Sequence, residues 1–474
     1  MIRRETMSDA DTDPETEPKP PPWVNNFYAV IPRAPVPHAR GASILMLPSD
    51  EAWQLPHARG EEIWLSDVAR INALLRADAG LDFDFTLLRY VARERNQQKC
   101  WDRILFVVEP TVSLDDVPLD GQWVDRAMLM DLPLALPEQR APLLQYLAEN
   151  EQGNDALRID QRRAPWARVG WFAAASAWMA ANLVEQGYTQ TDVVEQLRNW
   201  SISTILVAPT SQGRVYFKAA AALPLFVDEP ALTQTLAHLY PAHMPTPLQI
   251  DRARGWMLMQ DFGTPAWDDE DVDLAPILMA YGKLQRASAH HLDALAAAGC
   301  IDRRLDVLAS QIDGLVTDPL TQSALTAQEV AELVMLAPQL KARCVEMADY
   351  AIPATLIHGD FHLGNITQRA GETIFFDWTD AAISLPFIDF YLLYFEHADH
   401  VDALRWRDAY LEIWRDVESP PRLLEAWELA KPLCALHHAI SYLSILNNIE
   451  PGARGELFHG LPENLRRLLA AMRG

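Results

Sequence analysis

The chain has 474 residues, 49% of them hydrophobic and 22% charged, which is the composition of a globular protein too long for one ordinary core, so at least two domains are expected. A formal net charge of −25 and a pI near 4.9 exclude a nucleic-acid partner, because binding a phosphate backbone needs clustered Lys and Arg. The acidity serves solubility first, and a cationic small substrate is the other thing it could favour.

Residues 1–22, "MIRRETMSDADTDPETEPKPPP", lack an apolar core and are rich in Pro and acids. They are expected to be a disordered tail, with Met7 as another possible start. Strands follow in "NNFYAVIPRA" and "GASILMLPSD", where β-branched and aromatic residues are broken by Pro and Gly. The segment "SDVARINALLRADAGL" is expected to be a helix capped by Ser66, striped by Val68, Ile71, Leu74 and Leu75, and ended by Gly80. Two further strands, "FTLLRYVARE" and "RILFVVEP", and a helix in "PEQRAPLLQYLAEN" complete a mixed α/β unit over 23–150.

Within that unit "WQLPHARGEE" and "LLRADAGL" resemble the strand-loop and helix end of a Nudix domain. The resemblance implies carboxylates on the helix that gather magnesium, yet the matching positions are Ala73, Leu74, Ala77 and Asp78. One carboxylate cannot assemble that cluster, so a catalytically silent Nudix-like domain is expected. Glu61 and Glu62 are then solvated charges or displaced ligands.

Residues 151–186 read as a linker, "EQGNDALRIDQRRAP", and a connecting helix. The most apolar stretch of the chain, "WFAAASAWMAANLV", lies in that helix and is too short to span a bilayer, so no membrane partner is expected. Four cysteines without CxxC spacing indicate neither zinc nor a disulfide framework and suit a reducing cytoplasm. From 187 to 262 the pattern is that of a β-rich lobe. In "GRVYFKAA", Val215 and Phe217 face one way while Tyr216 and Lys218 face the other. Before Asp251 the carboxylates that follow Lys218 are Asp228 and Glu229, at the start of the helix "DEPALTQTLAHL", where capping is their other reading. Residues 263–474 are mainly helical.

The segment "ATLIHGDFHLGNITQRAGETIFFDWTDA" runs from an apolar strand through a polar loop and a turn into a second apolar strand. Asp360, Asn365 and Asp377 converge where the two apolar segments meet. Phosphoryl transfer needs magnesium held by hard oxygen ligands and an acceptor hydroxyl oriented by a carboxylate, and these residue types suit it.

"HGDFHLGN" with "FFDWTDA" resembles the catalytic loop and metal segment of the aminoglycoside phosphotransferase and choline kinase group. That resemblance implies an α+β, bilobal protein-kinase-like fold, with a small β-rich N-lobe and a helical C-lobe behind the Nudix-like domain. It implies Asp360 as the catalytic base, Asn365 and Asp377 as Mg²⁺ ligands, and Lys218 on the phosphates of ATP, or of GTP, with Glu229 as its partner. His358 would brace the loop, His362 is expected to support it more than to transfer protons, and Asp389 is expected to be structural. In "RNWSIS", where protein kinases carry glycines, Ser201 and Ser203 could donate to phosphate or simply form a turn. Backbone near Gln260 would meet the purine.

"DFG" at 261–263 repeats the magnesium-binding tripeptide of protein kinases, but it precedes the catalytic loop, and "DWT" at Asp377 is its expected counterpart. The expected partner is a small-molecule hydroxyl acceptor, with a non-catalytic nucleotide-binding or sensor protein as the other reading. Asp380, Glu396, Asp399 and Asp402 are candidates for a cationic acceptor or for a solvated helical face.

Overall fold

The computed structural model describes residues 22–33, 42–63, 65–81, 83–112, 114, 120–150, 160–266 and 272–473. The tail expected over 1–22, apart from Pro22, the start at Met7 and residues 151–159 of the linker lie outside the described residues.

The first unit contains β1 (Val24–Val30), β2 (Ser43–Ser49), β3 (Ala52–Gln54), β4 (His57–Glu61), α1 (Val68–Ala79), β5 (Phe85–Asn96), β6 (Trp101–Pro110), β7 (Gln122–Asp125), α2 (Arg126–Asp131) and α3 (Arg140–Glu149). Its strands form a sheet of order β4-β1-β6-β5 and a smaller one of order β3-β2-β7. The β1–β6 pair is parallel. Val68, Ile71 and Leu75 of α1 pack into the core of the larger sheet with Phe27, Phe85 and Phe106. Gly80 ends the helix in the left-handed conformation at φ 65°, as its sequence position suggests.

The cap is Asp67 and not Ser66: the Asp67 carboxylate accepts the Arg70 N–H at 3.2 Å. Ser66 is buried, and its carbonyl accepts from Asn199 N in the next unit. Asp78 accepts the Arg59 N–H at 2.9 Å, so the one carboxylate kept on this helix pins a neighbouring strand.

The β-rich lobe consists of α4 (Trp171–Glu185), β8 (Glu195–Asn199), β9 (Ser203–Thr210), β10 (Gly213–Ala220), α5 (Glu229–Leu239), β11 (Pro247–Asp251) and β12 (Trp256–Gln260). The sheet order is β11-β12-β10-β9-β8, antiparallel throughout. Phe217 faces Trp171 and Trp178 of α4 at centroid distances of 5.9 and 5.8 Å, and Trp256 joins the same edge-on cluster. The connecting helix is therefore the outer cover of this sheet, and its apolar composition reflects the aromatic face it lies on. Alternation along β10 sends Lys218 to the opposite side.

The helical lobe contains α6 (Leu274–Ser288), α7 (Leu292–Ala297), β13 (Ile301–Asp302), α8 (Leu305–Thr317), α9 (Pro319–Ala324), α10 (Ala327–Met347), β14 (Thr355–Ile357), β15 (Ile366–Arg369), β16 (Glu372–Phe375), β17 (Ala382–Ser384), α11 (Ala403–Leu411), α12 (Pro420–Asn448) and α13 (Gly460–Arg473). β15 and β16 form a hairpin, and β13-β17-β14 a small sheet. The 29-residue α12 has buried residues on all its faces, as expected of the helix at the centre of a large core. No described helix is long and apolar enough to cross a membrane.

The first unit docks on both lobes. Gln196 of β8 exchanges two hydrogen bonds with the Leu87 backbone of β5, at 2.7 and 3.2 Å. Arg89, Arg163, Glu149 and Glu450 form a largely buried ion cluster joining α3, the segment before α4 and the segment after α12. Such clusters specify an arrangement better than they stabilise it, since desolvation offsets much of their attraction.

Candidate active site

The loop from β14 to β15 carries His358, Asp360, His362 and Asn365, and it is held from beneath. The Asp389 carboxylate accepts the backbone N–H groups of His358 and Gly359 at 2.7 and 2.8 Å, and the Tyr281 hydroxyl bonds to it as well. His358 Nε2 lies 2.8 Å from the Phe376 carbonyl, tying the loop to the segment after β16. Gly359 has φ +79°, and a Cβ there would sit 2.0 Å from the Asp380 carbonyl oxygen. Only glycine allows that approach.

With the loop fixed, the Asp360 side chain stands about half exposed, at 51%, within reach of a small molecule. Asn365 Nδ2 donates to the Asp360 carbonyl at 3.0 Å and to its carboxylate at 3.3 Å. The amide oxygen of Asn365 is thereby turned away and kept as an acceptor. His362 Nδ1 accepts the Gly364 N–H at 3.0 Å, and Nε2 lies 3.4 Å from Asp360. With Nδ1 occupied by the Gly364 N–H, it is Nε2 that faces Asp360. Although the side chain is half exposed, the protein around its base still opposes the Asp360 charge by desolvation, and His362 beside it outweighs that and holds the group well below the usual carboxylate range. His362 is itself tied to the backbone of its own loop at Gly364.

Asp377 follows β16 in the left-handed conformation, φ 65°, unusual for a residue with a side chain. That turn sends its carboxylate back toward β10. Lys218 Nζ, buried on the inner face of the sheet, reaches both Glu229 Oε1 at 2.8 Å and Asp377 Oδ1. Thr379 completes the cluster: its hydroxyl accepts from Lys218 at 3.0 Å, donates to Glu229 at 2.9 Å, and lies 3.1 Å from Asp377. Burial opposes the charge on Lys218, but the carboxylates of Asp377 and Glu229 more than offset it and lift the ammonium well above the usual lysine range. Burial would raise Asp377, and Lys218 pulls it below its ordinary value.

Lys218, Glu229, Asp377, Asp360 and Asn365 are therefore gathered from two lobes into one cleft, whereas the Ser201 N–H and the Gln260 side chain are bonded to Glu456 and Tyr188. The Ser201 N–H, in the turn between β8 and β9, is taken by Glu456 Oε2 at 2.9 Å. Ser203 is the first residue of β9, paired with Ala220. Gln260 ends β12 and its side chain donates to the Tyr188 hydroxyl. Asp261 accepts the Gly263 N–H at 3.0 Å in an exposed turn, and Phe262 packs on Phe376 at 4.8 Å.

Sequence reasoning passed over Thr379, which bears no charge and has only its position beside Asp377 as a signal. The acidic candidates divide in space. Asp380 stands beside Asp360 and Asp377, and burial followed by those two charges pushes its carboxyl well above the usual range. Glu396 interacts electrostatically with His362 and Asp360. Asp402 instead pairs with Arg405 at 2.9 Å on the surface.

Magnesium suits this donor set. Among the described residues no three His, Cys, Asp or Glu side chains converge on one metal position. Mg²⁺ needs only one or two protein carboxylates when phosphate and water oxygens fill its shell. Asp377 and the outward amide oxygen of Asn365 are such a partial set.

A β-rich lobe with an inward lysine and its glutamate, joined by a hinge to a helical lobe with an Asp-Asn loop and a following aspartate, is the architecture of a small-molecule kinase. Residues 193–427 match the family model described as the phosphotransferase enzyme family. No curated protein matches the chain.

Among solved structures it is similar to a choline/ethanolamine kinase family protein from Mesorhizobium loti, at 17% identity and a TM-score of 0.45, covering 64% of this chain and 99% of that one. A macrolide 2'-phosphotransferase type I aligns at 14% identity and a TM-score of 0.42, covering 60% and 97%. A spectinomycin phosphotransferase in complex with ADP and spectinomycin aligns at 10% and 0.44, covering 62% and 98%.

Proposed function

We propose that the protein transfers the γ-phosphate of ATP, with GTP as the other possible donor, to a hydroxyl of a small molecule in a Mg²⁺-dependent reaction. The observation that carries this reading is the single cleft in which Lys218, Glu229, Asp360, Asn365 and Asp377 meet. Lys218, charged and held by Glu229 and Thr379, offers its ammonium to the donor phosphates. Asp377 and Asn365 would hold Mg²⁺, which neutralises phosphate charge when bound. Asp360 stays ionised at neutral pH, accepts the hydrogen bond of the acceptor hydroxyl, aims its oxygen and takes its proton as phosphate transfers.

The β8–β9 turn with Ser201 and Ser203 and the backbone near Gln260 complete the proposed nucleotide site. Ser201 would have to exchange its bond to Glu456 for one to phosphate. The first unit, 23–150, is proposed to be catalytically silent. Asp78 serves a backbone bond there, and the unit's contacts with β8 support a bracing role.

The test is ADP release from ATP or GTP across a panel of sugars, amino alcohols and aminoglycosides with MgCl₂. Turnover that disappears in Asp360→Ala and in Asp377→Ala supports the reading. Lys218 already bonded to Asp377 is the observation that favours a second one, a nucleotide-binding or sensor protein. ATP binding without turnover on any acceptor would select it.

A further inference from the structure

A second cleft, of about 960 Å³, lies between the first unit and the C-terminal helix. Neither Lys218 nor Asp360 nor Asp377 lines it. Its walls carry Arg93 and Arg95 from β5, Arg454 and His459 from the segment before α13, and Arg466 and Arg467 from α13 itself. Alternate residues of a strand and adjacent residues of a helix bring these groups to facing walls. In a chain of net charge −25, this cavity is lined by five guanidinium groups and one carboxylate, Glu463.

Three of the five have carboxylate partners. Arg93 is gripped by Asp102 at 2.8 and 3.2 Å, Arg466 by Glu329 at 2.8 Å, and Arg467 by Glu463 at 2.8 Å. Arg95 and Arg454 meet no carboxylate among the described residues. Both are nevertheless held in place: the Arg95 guanidinium lies 4.1 Å over the Trp23 ring, and Arg454 Nε donates to the Leu446 carbonyl at 2.7 Å. Arg467 lies 4.6 Å over Tyr391. Guanidinium groups anchored by stacking or by one edge keep their remaining N–H groups pre-oriented, so little rotamer freedom is lost when an anion arrives. Their planar forks match the paired oxygens of phosphate and carboxylate.

We propose that this cleft is a binding site for a small organic anion carrying at least two negative charges on phosphate or carboxylate groups. Its volume falls in the range of small-molecule sites, and the acidity of the chain as a whole disfavours a long polyanion. Arg95 and Arg454 both line the cavity without a described carboxylate partner, so a bound oxyanion would meet guanidinium groups not already neutralised. The proposal is independent of the phosphotransfer reading, because no residue of the kinase cleft takes part.

The test is calorimetric titration of the full chain with pyrophosphate and, separately, citrate, in Mg²⁺-free buffer at low salt. At least one probe is expected to bind with one site per chain, and which one binds tells phosphate recognition from carboxylate recognition. The site should persist in Lys218→Met, which removes the ammonium of the kinase cleft that a phosphate could meet. It should weaken about tenfold or more in Arg95→Gln/Arg454→Gln and recover in the double lysine variant. If the double glutamine variant does not fold, Arg95→Gln alone serves, since that side chain is exposed and its loss leaves the Arg93–Asp102 pair intact. Failure of both probes to bind, or unchanged affinity in the glutamine variants, overturns the proposal.

Discussion

Lys218 of β10 and Asp377, which follows β16, are in direct contact across the cleft between the two lobes. The same ammonium holds Glu229 at 2.8 Å, so one cation joins a strand, the first turn of α5 and the segment after β16. Replacing it with Met leaves Glu229, 3% exposed, as an unpaired buried carboxylate. Lys218→Met is expected to lose turnover and about 3–5 kcal/mol of stability, the usual cost of breaking a buried pair from one side. Lys218→Met/Glu229→Gln should regain most of the stability by chemical denaturation and none of the activity.

Asp360→Asn keeps the loop's shape and Asn365's bond to the Asp360 carbonyl but removes the base. A fall in kcat of about 10²–10⁴-fold with little change in nucleotide affinity is expected. Asp377→Ala should abolish Mg²⁺-dependent turnover, while Asp261→Ala leaves the Mg²⁺ titration unchanged. An Asp261 loss as deep as that of Asp377 would show that the hinge had been assigned wrongly.

Gly359→Ala places a methyl group against the Asp380 carbonyl at a φ that residues with side chains rarely adopt. Destabilisation of at least about 1–3 kcal/mol is expected from the backbone conformation alone. Urea denaturation measures it, and the kcat of the folded fraction reports whether Asp360 has shifted.

Glu456 is a partly buried carboxyl whose described partner is the Ser201 N–H. Burial lifts its pKa from the usual 4.5 to about 7, against smaller lowering effects from Ser201 and Arg93. A folded-state pKa above the unfolded one means the folded chain binds the proton more tightly. The stabilising contribution is therefore full below about 4.5 and lost as pH rises through about 7. Glu456→Gln, which keeps an acceptor for Ser201, should match the native protein at pH 5 and exceed it at pH 8. The gain is expected to be on the order of 1–3 kcal/mol, reduced by whatever solvent reaches the carboxyl. Thermal melting at the two pH values checks it. Equal stability at pH 8 would mean that Glu456 is no more buried than an ordinary surface acid.

The linear pattern determined the parts that depend on neighbours in the chain. Alternation in β10 gave Lys218 its side of the sheet, and Gly80 ended α1. The pattern from Asp360 through Asn365 to Asp377 made a polar loop, a turn and a second strand legible in one short segment, whereas the left-handed turn at Asp377 did not show in it. Only the tertiary structure decided what lies far apart in sequence. Asp67 caps α1 because Ser66 is buried against Asn199 of the next unit. Thr379 joins Lys218 and Glu229 because two lobes close on it, and Ser201 meets Glu456 because the segment after α12 folds back over the β8–β9 turn. Local periodicity records which face of an element is apolar, but it carries no information about which distant polar group will satisfy a buried N–H or share a charge. Those partners are chosen by desolvation when the units pack together.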